Sequence, residues 1–540
     1  MNRRNLLILF AVSLVVSFIT ALLQRVPGYM DAEYYYAGGL QLARGEGFYE
    51  PFLWNYLDNP SGIPRPSHTY WMPLSSLIAS AGMILTGSET FLAARLFFIL
   101  LAACVPVVTA CLARELGQSD FNAMLAGLLA TFPGFYAVYL TNTETFTLYM
   151  LLGGIFIWLS LKKVAVQGGL YLKPAVLGLL AGMMHLTRAE GLIWLVPAAA
   201  VIVFEVLGNE GGIKAKFSAR NMLRVAIYFM LLAGGYLLIM APWYARNLRI
   251  YGLLMSPGGS KTLWLTNYDQ TFIYHTDLLT PAAWMEKGWR FHLLARWGAF
   301  IANIKNLIGV QGEIFLLPLI LLGVWKTRTK PVIWLSGLIW LMIIGLMTIV
   351  FPYSGARGGY IHSGAALQPL LWVLAVIGLD AFVAFGERIR NWNVRMAKPV
   401  FASGLVALSI FLTVSLFYLR VYGGDVANPV WEASWKEHAE MHHSAIRLGL
   451  DPDALVMVNN PPGYFVATGQ SSIVIPDGNI ETLVTVAKRY KAQYVFLQRD
   501  HVAGLNAIYK EPGDTNGLRY LGQAGEVRFY EVAAGSKSDE

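Results

Sequence analysis

The sequence predicts a polytopic α-helical membrane protein that carries a C-terminal extracytoplasmic α/β domain. Three observations predict it. Of 540 residues, 56% are hydrophobic and only 14% charged, where an ordinary soluble domain is about a quarter charged. The apolar residues fall in repeated blocks of about 18 to 23, each long enough to cross a hydrocarbon core of about 30 Å. From about Tyr422 those blocks stop and short β-type runs begin.

About eleven spans are predicted, near 5–23, 90–112, 121–140, 145–162, 172–187, 191–208, 225–243, 301–324, 331–350, 364–385 and 399–419. The first follows Arg3 and Arg4 as a signal peptide would. However, "ITALLQRVPG" offers no small-x-small cleavage site, so it reads as a retained span. Short basic loops set the sidedness. Residues 1–5, Arg114, 162–163, 214–224, "WKTRTK" (325–330) and "ERIRNWNVRMAK" (387–398) read as cytoplasmic. The net charge of +8 is then a topological signal, with no nucleic-acid partner implied.

One apolar block breaks the pattern. "YWMPLSSLIASAGMILTG" (70–87) is short and opens on an aromatic pair and Pro73. Counted as a span, it would place residues 162–163 outside. It therefore reads as an interfacial or re-entrant helix on the outer face. The result is a multi-pass plasma-membrane protein with its N-terminus inside. A transmembrane module, 1–421, has long outer loops at 24–89 and 244–300 and a short one at 351–364. The domain 422–540 lies outside.

In that tail, "ALVMVNN", "SSIVIP" and "QYVFLQ" read as buried strands, with "IETLVTVAKRY" as an amphipathic helix between the last two. "LRYLGQAGEVRFYEV" reads as a terminal hairpin turning near Ala524 and Gly525. His438 and His442 in "WKEHAEMHHS" have a metal-like spacing, but Ala439 stands where the zinc-protease pattern needs Glu. A solvated helix face is the reading there. Cys104 and Cys111 share one apolar block and read as core residues. The sequence has neither a Gly-rich phosphate loop nor the inverted repeats common among transporters.

The chemistry-bearing residues begin just after the first span, in "GYMDAEYYYAGGLQLARGEGFYE" (28–50). Asp31 reads either as the cap of an interfacial helix, 32–43, or as a functional acid at the membrane boundary. Helical spacing turns Glu33 about 200° away from it. Further along come "HTYWMPL" from His68 to Leu74, Glu144 in "TNTETFTLYMLL", "HLTRAEGLIWLVPA" (185–198) and "APWYARNLRIYG" (241–252).

In that order these segments resemble the GT-C class of integral-membrane glycosyltransferases, in the branch of the protein O-mannosyltransferases and lipid A aminoarabinose transferases. The resemblance covers about residues 28 to 252. The family often has His-Pro-Pro-Leu where this chain has "HTYWMPL", and Pro-Glu-Gly where it has "AEG". The resemblance implies a GT-C type fold with outer interfacial helices. It also implies transfer of a sugar from a polyprenyl-phosphate donor to a protein, lipid or glycan acceptor outside the membrane, with membrane lipids as further partners.

Attack on the anomeric carbon needs a carboxylate to take the acceptor's proton, and Asp31 matches the family's base. Glu33 and Glu144 are the neighbouring catalytic acids. Departure of the lipid phosphate needs fixed positive charge, which arginine's fork supplies best. Arg188, Arg246 and Arg357 fall at outer span ends. His68, Tyr34 and Glu190 are the remaining substrate-binding candidates. Each has a structural alternative. Arg188 and Glu190 could pair with each other, and Arg246 could snorkel with Arg249. Arg357 could be a solvated charge, and Tyr34 part of an aromatic belt. No metal is assigned, although Asp31, Glu33 and His68 are suitable ligand types for a divalent ion. The competing readings are a transporter or lipid flippase, and an inactive assembly subunit. Charges near span ends favour an interfacial enzyme over a midplane transporter.

Overall fold

The structure, a computed structural model, describes residues 1–162, 172–208, 218–515 and 517–533. Lys163 and residues 214–217 of the predicted inner loops lie outside the described residues. Among the described residues, seven helices are long and apolar enough to cross a membrane, and four shorter apolar helices accompany them. The chain is a polytopic α-helical membrane protein with a sheet-bearing tail.

Local chemistry explains where predicted spans and observed helices differ. The span predicted at 121–140 ends as an α-helix at Thr131, and a tighter turn, Gly134–Val138, follows Pro133. Proline lacks the amide that would continue the ladder and pushes its predecessor out of the helical region. The span predicted at 301–324 is interrupted. Helix Trp289–Asn306 passes into a wide turn, Leu307–Gln311, and a new helix, Leu317–Thr327, starts after it. Between them Glu313 and Ile314 both have left-handed backbone, at φ 45 and 57. The second outer loop does not begin at residue 244. Helix Ala219–Tyr251 runs about two turns further and stops at Gly252, in the left-handed conformation that closes helices.

Outside the spans, helix α1 (Arg3–Leu23) leads to α2 (Met30–Ala43), and the block at 70–87 forms α3 (Leu74–Thr86). At 13 residues, α3 is about 20 Å long, short of a bilayer core. It lies against α2 instead. Gly38 and Gly39 permit that approach, since a Cβ on Gly39 would come within 2.7 Å of the Ala79 methyl. The residue capping α2 is Tyr29, and Asp31 sits inside the first turn, so the helix-cap reading of Asp31 does not hold.

The long loop after α1 is braced by a buried charge cluster. Arg65 contacts Glu50 at 2.7 Å, Asp58 at 3.0 Å and Thr69 Oγ1 at 2.6 Å. Buried charges persist when they are paired in this way.

The tail contains the predicted strands and hairpin. Strands β1 (Tyr49–Glu50) and β3 (Arg65–Pro66) pair with each other near the Arg65 cluster, and the six-stranded tail sheet, its strands numbered along the chain, has the order β2-β5-β4-β6-β8-β7. Here β4 is Val456–Val458, β5 Ser472–Val474, β6 Tyr494–Leu497, β7 Leu518–Ala524 and β8 Val527–Val532. The edge strand β2, Phe52–Leu53, belongs to the long loop 24–89 and runs parallel to β5. Leu53 and Tyr56 enter the tail's core beside Met457, Ile473 and Val495. The loop 24–89 and the tail therefore share one sheet and one core. His438 is 1% exposed, which corrects the solvated-face reading of its helix, Ala433–Arg447. His438 packs against the Tyr464 ring of helix Pro461–Thr468.

Candidate active site

The start of α2 is fixed from three sides. Arg95 donates to the carbonyls of Ala21 at 2.9 Å and Gln24 at 2.8 Å, holding the end of α1. The chain then passes under Trp431, whose indole N–H donates to the Val26 carbonyl at 2.8 Å. Only glycine fits at position 28, where φ is +81 and a Cβ would lie 2.3 Å from the Trp431 ring. On the third side, Thr143 Oγ1 donates to the Ala32 carbonyl at 2.7 Å, tying the Glu144 segment directly to α2.

These ties bring Asp31, Glu144 and His362 together, with one donor atom from each lying within 4.8 Å of the others. Glu144 Oε1 is 2.9 Å from His362 Nδ1 and accepts from Thr145 Oγ1 at 3.0 Å. Its Oε2 is buried without a partner among the described residues. The His362 ring stacks on Phe146 at 3.9 Å. Thr145 also accepts from Arg188 Nη1 at 3.4 Å, and Arg188 is paired with Glu190. Glu190 in turn accepts from Ser363 at 2.6 Å. The segments 144–145, 188–190 and 362–363 thus close into one polar ring, with Asp31 set against it.

The electrostatics separate the two acids. Burial, and then repulsion from Glu144, push Asp31 up to about 6, against the pull of His362 and Arg188. Burial acts on Glu144 in the same direction, but His362 and Arg188 outweigh it and hold Glu144 below the usual range. One carboxylate is firmly ionised while its neighbour titrates near neutrality, as a proton acceptor requires. Burial raises the phenols of Tyr70 and Tyr268, and the Asp31 carboxylate adds to both shifts.

The other candidates lie elsewhere. Glu33 faces the tail, where its Oε2 accepts from Asn460 at 2.7 Å. His68 is 1% exposed, and both ring nitrogens are engaged, by Ser67 at 2.8 Å and Ser76 at 2.9 Å. Burial, with Arg246 adding, holds it neutral, down to about 3. Tyr34 accepts from the His68 amide at 2.7 Å and packs among Phe52, Trp54 and Trp71. It belongs to a buried aromatic core, so the belt reading also fails. The divalent-ion set Asp31, Glu33 and His68 does not assemble. Asp31, Glu144 and His362 are the donors the fold brings together, two carboxylates and an imidazole that suit a divalent transition metal.

The three arginines do not share one site. Arg188 lies in the Asp31 ring, in the pairing with Glu190 that the structural alternative expects. Arg246 donates to the Ser67 carbonyl at 2.7 Å and the Phe48 carbonyl at 3.3 Å, with Trp243 under its guanidinium at 4.5 Å. It is a fixed group and not a mobile anchor, and its Nε has no partner among the described residues. Arg357 is exposed and stacks over Tyr268 at 4.3 Å.

His362, Thr145 and Tyr268 were not singled out by the sequence reading. His362 is within reach of the sequence, because it stands in the same short loop as Arg357, five residues on. No sequence pattern marks Tyr268.

Comparison with solved structures places this architecture. Over 99% of each chain the structure matches ArnT from Cupriavidus metallidurans bound to undecaprenyl phosphate, with a TM-score of 0.58 at 14% identity. It matches the Archaeoglobus fulgidus oligosaccharyltransferase AglB, in complex with an inhibitory peptide and a dolichol-phosphate, at TM-score 0.51 and 12% identity. That match covers 90% of this chain and 69% of the other. No family model and no curated sequence matches the chain. The fold is that of the GT-C membrane proteins. Within that class the chain is similar to ArnT along its whole length.

Proposed function

We propose that the protein is a glycosyltransferase that moves a sugar from a polyprenyl-phosphate donor to an acceptor on the outer face of the membrane. The observation that carries this reading is the Asp31–Glu144–His362 ring at the start of an interfacial helix, in a GT-C fold. The ArnT and AglB structures, solved with undecaprenyl phosphate and dolichol-phosphate, support a lipid-phosphate donor.

In this reading the acceptor hydroxyl attacks the anomeric carbon while its proton passes to the Asp31 carboxylate. The bond from that carbon to the lipid phosphate breaks, and the configuration inverts. Glu144 stays ionised and keeps Asp31 basic, while His362 holds Glu144 in place. The departing phosphate carries its negative charge towards Arg188 and Arg357 near Asp31, with Arg246 at the outer end of its span as the more distant anchor. A divalent cation, where bound, would be held by Asp31, Glu144 and His362 and would compete with the acceptor's proton for the Asp31 carboxylate. The N-terminus faces the cytoplasm and the tail faces outward. Incubation of the purified protein with polyprenyl-phosphate sugars and a crude acceptor extract tests the reading. Release or transfer of sugar supports it, and a protein that never cleaves sugar from lipid overturns it.

A further inference from the structure

The tail sheet is doubly wound about β4. From β4 the chain passes through helix Pro461–Thr468 to β5 on one side. From β5 it passes through helix Ile480–Tyr490 to β6 on the other. The strand order therefore reverses between β4 and β6. Sheets of this kind take their ligands at the carboxyl ends of the strands flanking such a reversal, beside a helix N-terminus.

In this protein those carboxyl ends carry Asn459 and Asn460 after β4, and Gln498 after β6. The amides converge: Asn459 N–H donates to Gln498 Oε1 at 3.4 Å, and its side chain donates to Asp500 at 2.8 Å. The group seated against them comes from the other half of the protein. Glu33 Oε2 accepts from Asn460 Nδ2 at 2.7 Å, and Asn460 caps helix Pro461–Thr468 through the Gly463 amide at 3.1 Å. A Cβ on Gly463 would stand 2.6 Å from that carboxylate oxygen and 2.8 Å from the His438 ring. Glycine at 463 thus makes the space Glu33 fills. Glu33 is only 2% exposed in this position.

Glu33 and Asp31 are two residues apart on one helix and point about 200° apart. One face of α2 is therefore fixed in the tail while the other presents the carboxylate to Glu144. A shift of α2 at Glu33 displaces Asp31 by a similar distance, and about 1 Å of misplacement can cost about 10²-fold in rate.

We infer that Glu33 is a positioning residue: its carboxylate occupies the place where a doubly wound sheet ordinarily takes its ligand, so the tail domain sets the register of α2 and of Asp31. This rests on the reading of Asp31 as the base, but the docking itself is measurable without any activity. Asn460→Asp sets two carboxylates against each other. In the full-length protein it should speed amide hydrogen exchange in α2 and in 461–468. It should also lower kcat about tenfold or more with little change in donor KM. Adding Glu33→Gln to Asn460→Asp should restore both, because the introduced amide can donate to the introduced carboxylate. If Asn460→Asp does not fold, Asn460→Ala should show the same pattern, weaker. Unchanged exchange in α2 overturns the docking. Faster exchange with unchanged kcat overturns the positioning role, as does a double variant no better than Asn460→Asp alone. Exchange and rescue seen in a protein with no transfer activity would overturn the glycosyltransferase reading and leave the docking standing.

Discussion

Glu144 and His362 meet at 2.9 Å, Oε1 to Nδ1, across two segments far apart in sequence. The contact does more than join the segments. By keeping Glu144 ionised it maintains a fixed negative charge beside Asp31, and that charge is one of the two causes that push Asp31 up to about 6.

The pH profile should report this arrangement. A base works when unprotonated, so kcat/KM should rise with pH and pass half-maximum near 6. Glu144→Gln removes the repelling charge, so Asp31 should lose its proton more easily and the acid limb should move to lower pH. The maximal rate should fall as well, since a weaker base accepts the proton less well. An acid limb at the same pH in Glu144→Gln would refute the coupling.

Asp31→Asn preserves shape and removes the proton acceptor. Turnover should fall by about 10² to 10⁴, the range typical of general-base loss, while donor binding persists. Near-normal turnover would leave Asp31 as a helix residue without chemistry.

The ring also predicts a metal response. A lipid-phosphate donor does not demand a cation, and a cation held by Asp31, Glu144 and His362 would occupy the base. Added Zn²⁺ should therefore inhibit, and a chelator should reverse the inhibition. His362→Ala should weaken it by removing one of three donors. Chelator-dependent loss of the basal rate would instead make the cation part of the reaction.

Sidedness can be read chemically. Asp453 in the tail and Ala219 at the start of helix Ala219–Tyr251 are both exposed. In a background lacking Cys104 and Cys111, Asp453→Cys should react with an impermeant thiol reagent in intact cells, and Ala219→Cys should not. The reverse pattern would invert the topology and move the site to the cytoplasm.

The fold was legible wherever local pattern decides it. Among the described residues, seven apolar blocks form helices long enough to cross a membrane, the tail strands read as β-branched runs, and α3 reads as a block too short to cross. What stayed hidden depends on contacts between distant segments. Strand β2 is two residues long and pairs with a strand some four hundred residues away, so no local period announces it. Glu33 looked like a second catalytic acid because its partner, Asn460, lies in another domain. His68 looked available because nothing in "HTYWMPL" shows that Ser67 and Ser76 take both ring nitrogens. His362 joined the site only because the fold places residues 360–364 against Glu144.

Arg246 tests whether a fixed guanidinium serves the donor or only the loop above it. Two backbone carbonyls hold it in place, at 2.7 and 3.3 Å, and Trp243 supports it from below. Lysine at this position keeps the positive charge but loses the planar fork that reaches both carbonyls and a phosphate together. If Arg246 anchors the lipid phosphate, its charge matters most as the phosphate departs. Arg246→Lys should then lower kcat clearly, with a smaller loss of donor binding. If it serves only as a strut for the first outer loop, Arg246→Lys should lower Tm and loosen residues 48 and 67 in hydrogen exchange. The kcat of the folded fraction would then be near normal. Measuring Tm and single-turnover transfer on the same preparation separates the two. A stable protein with intact turnover would remove Arg246 from the donor site and leave the phosphate to Arg188 and Arg357.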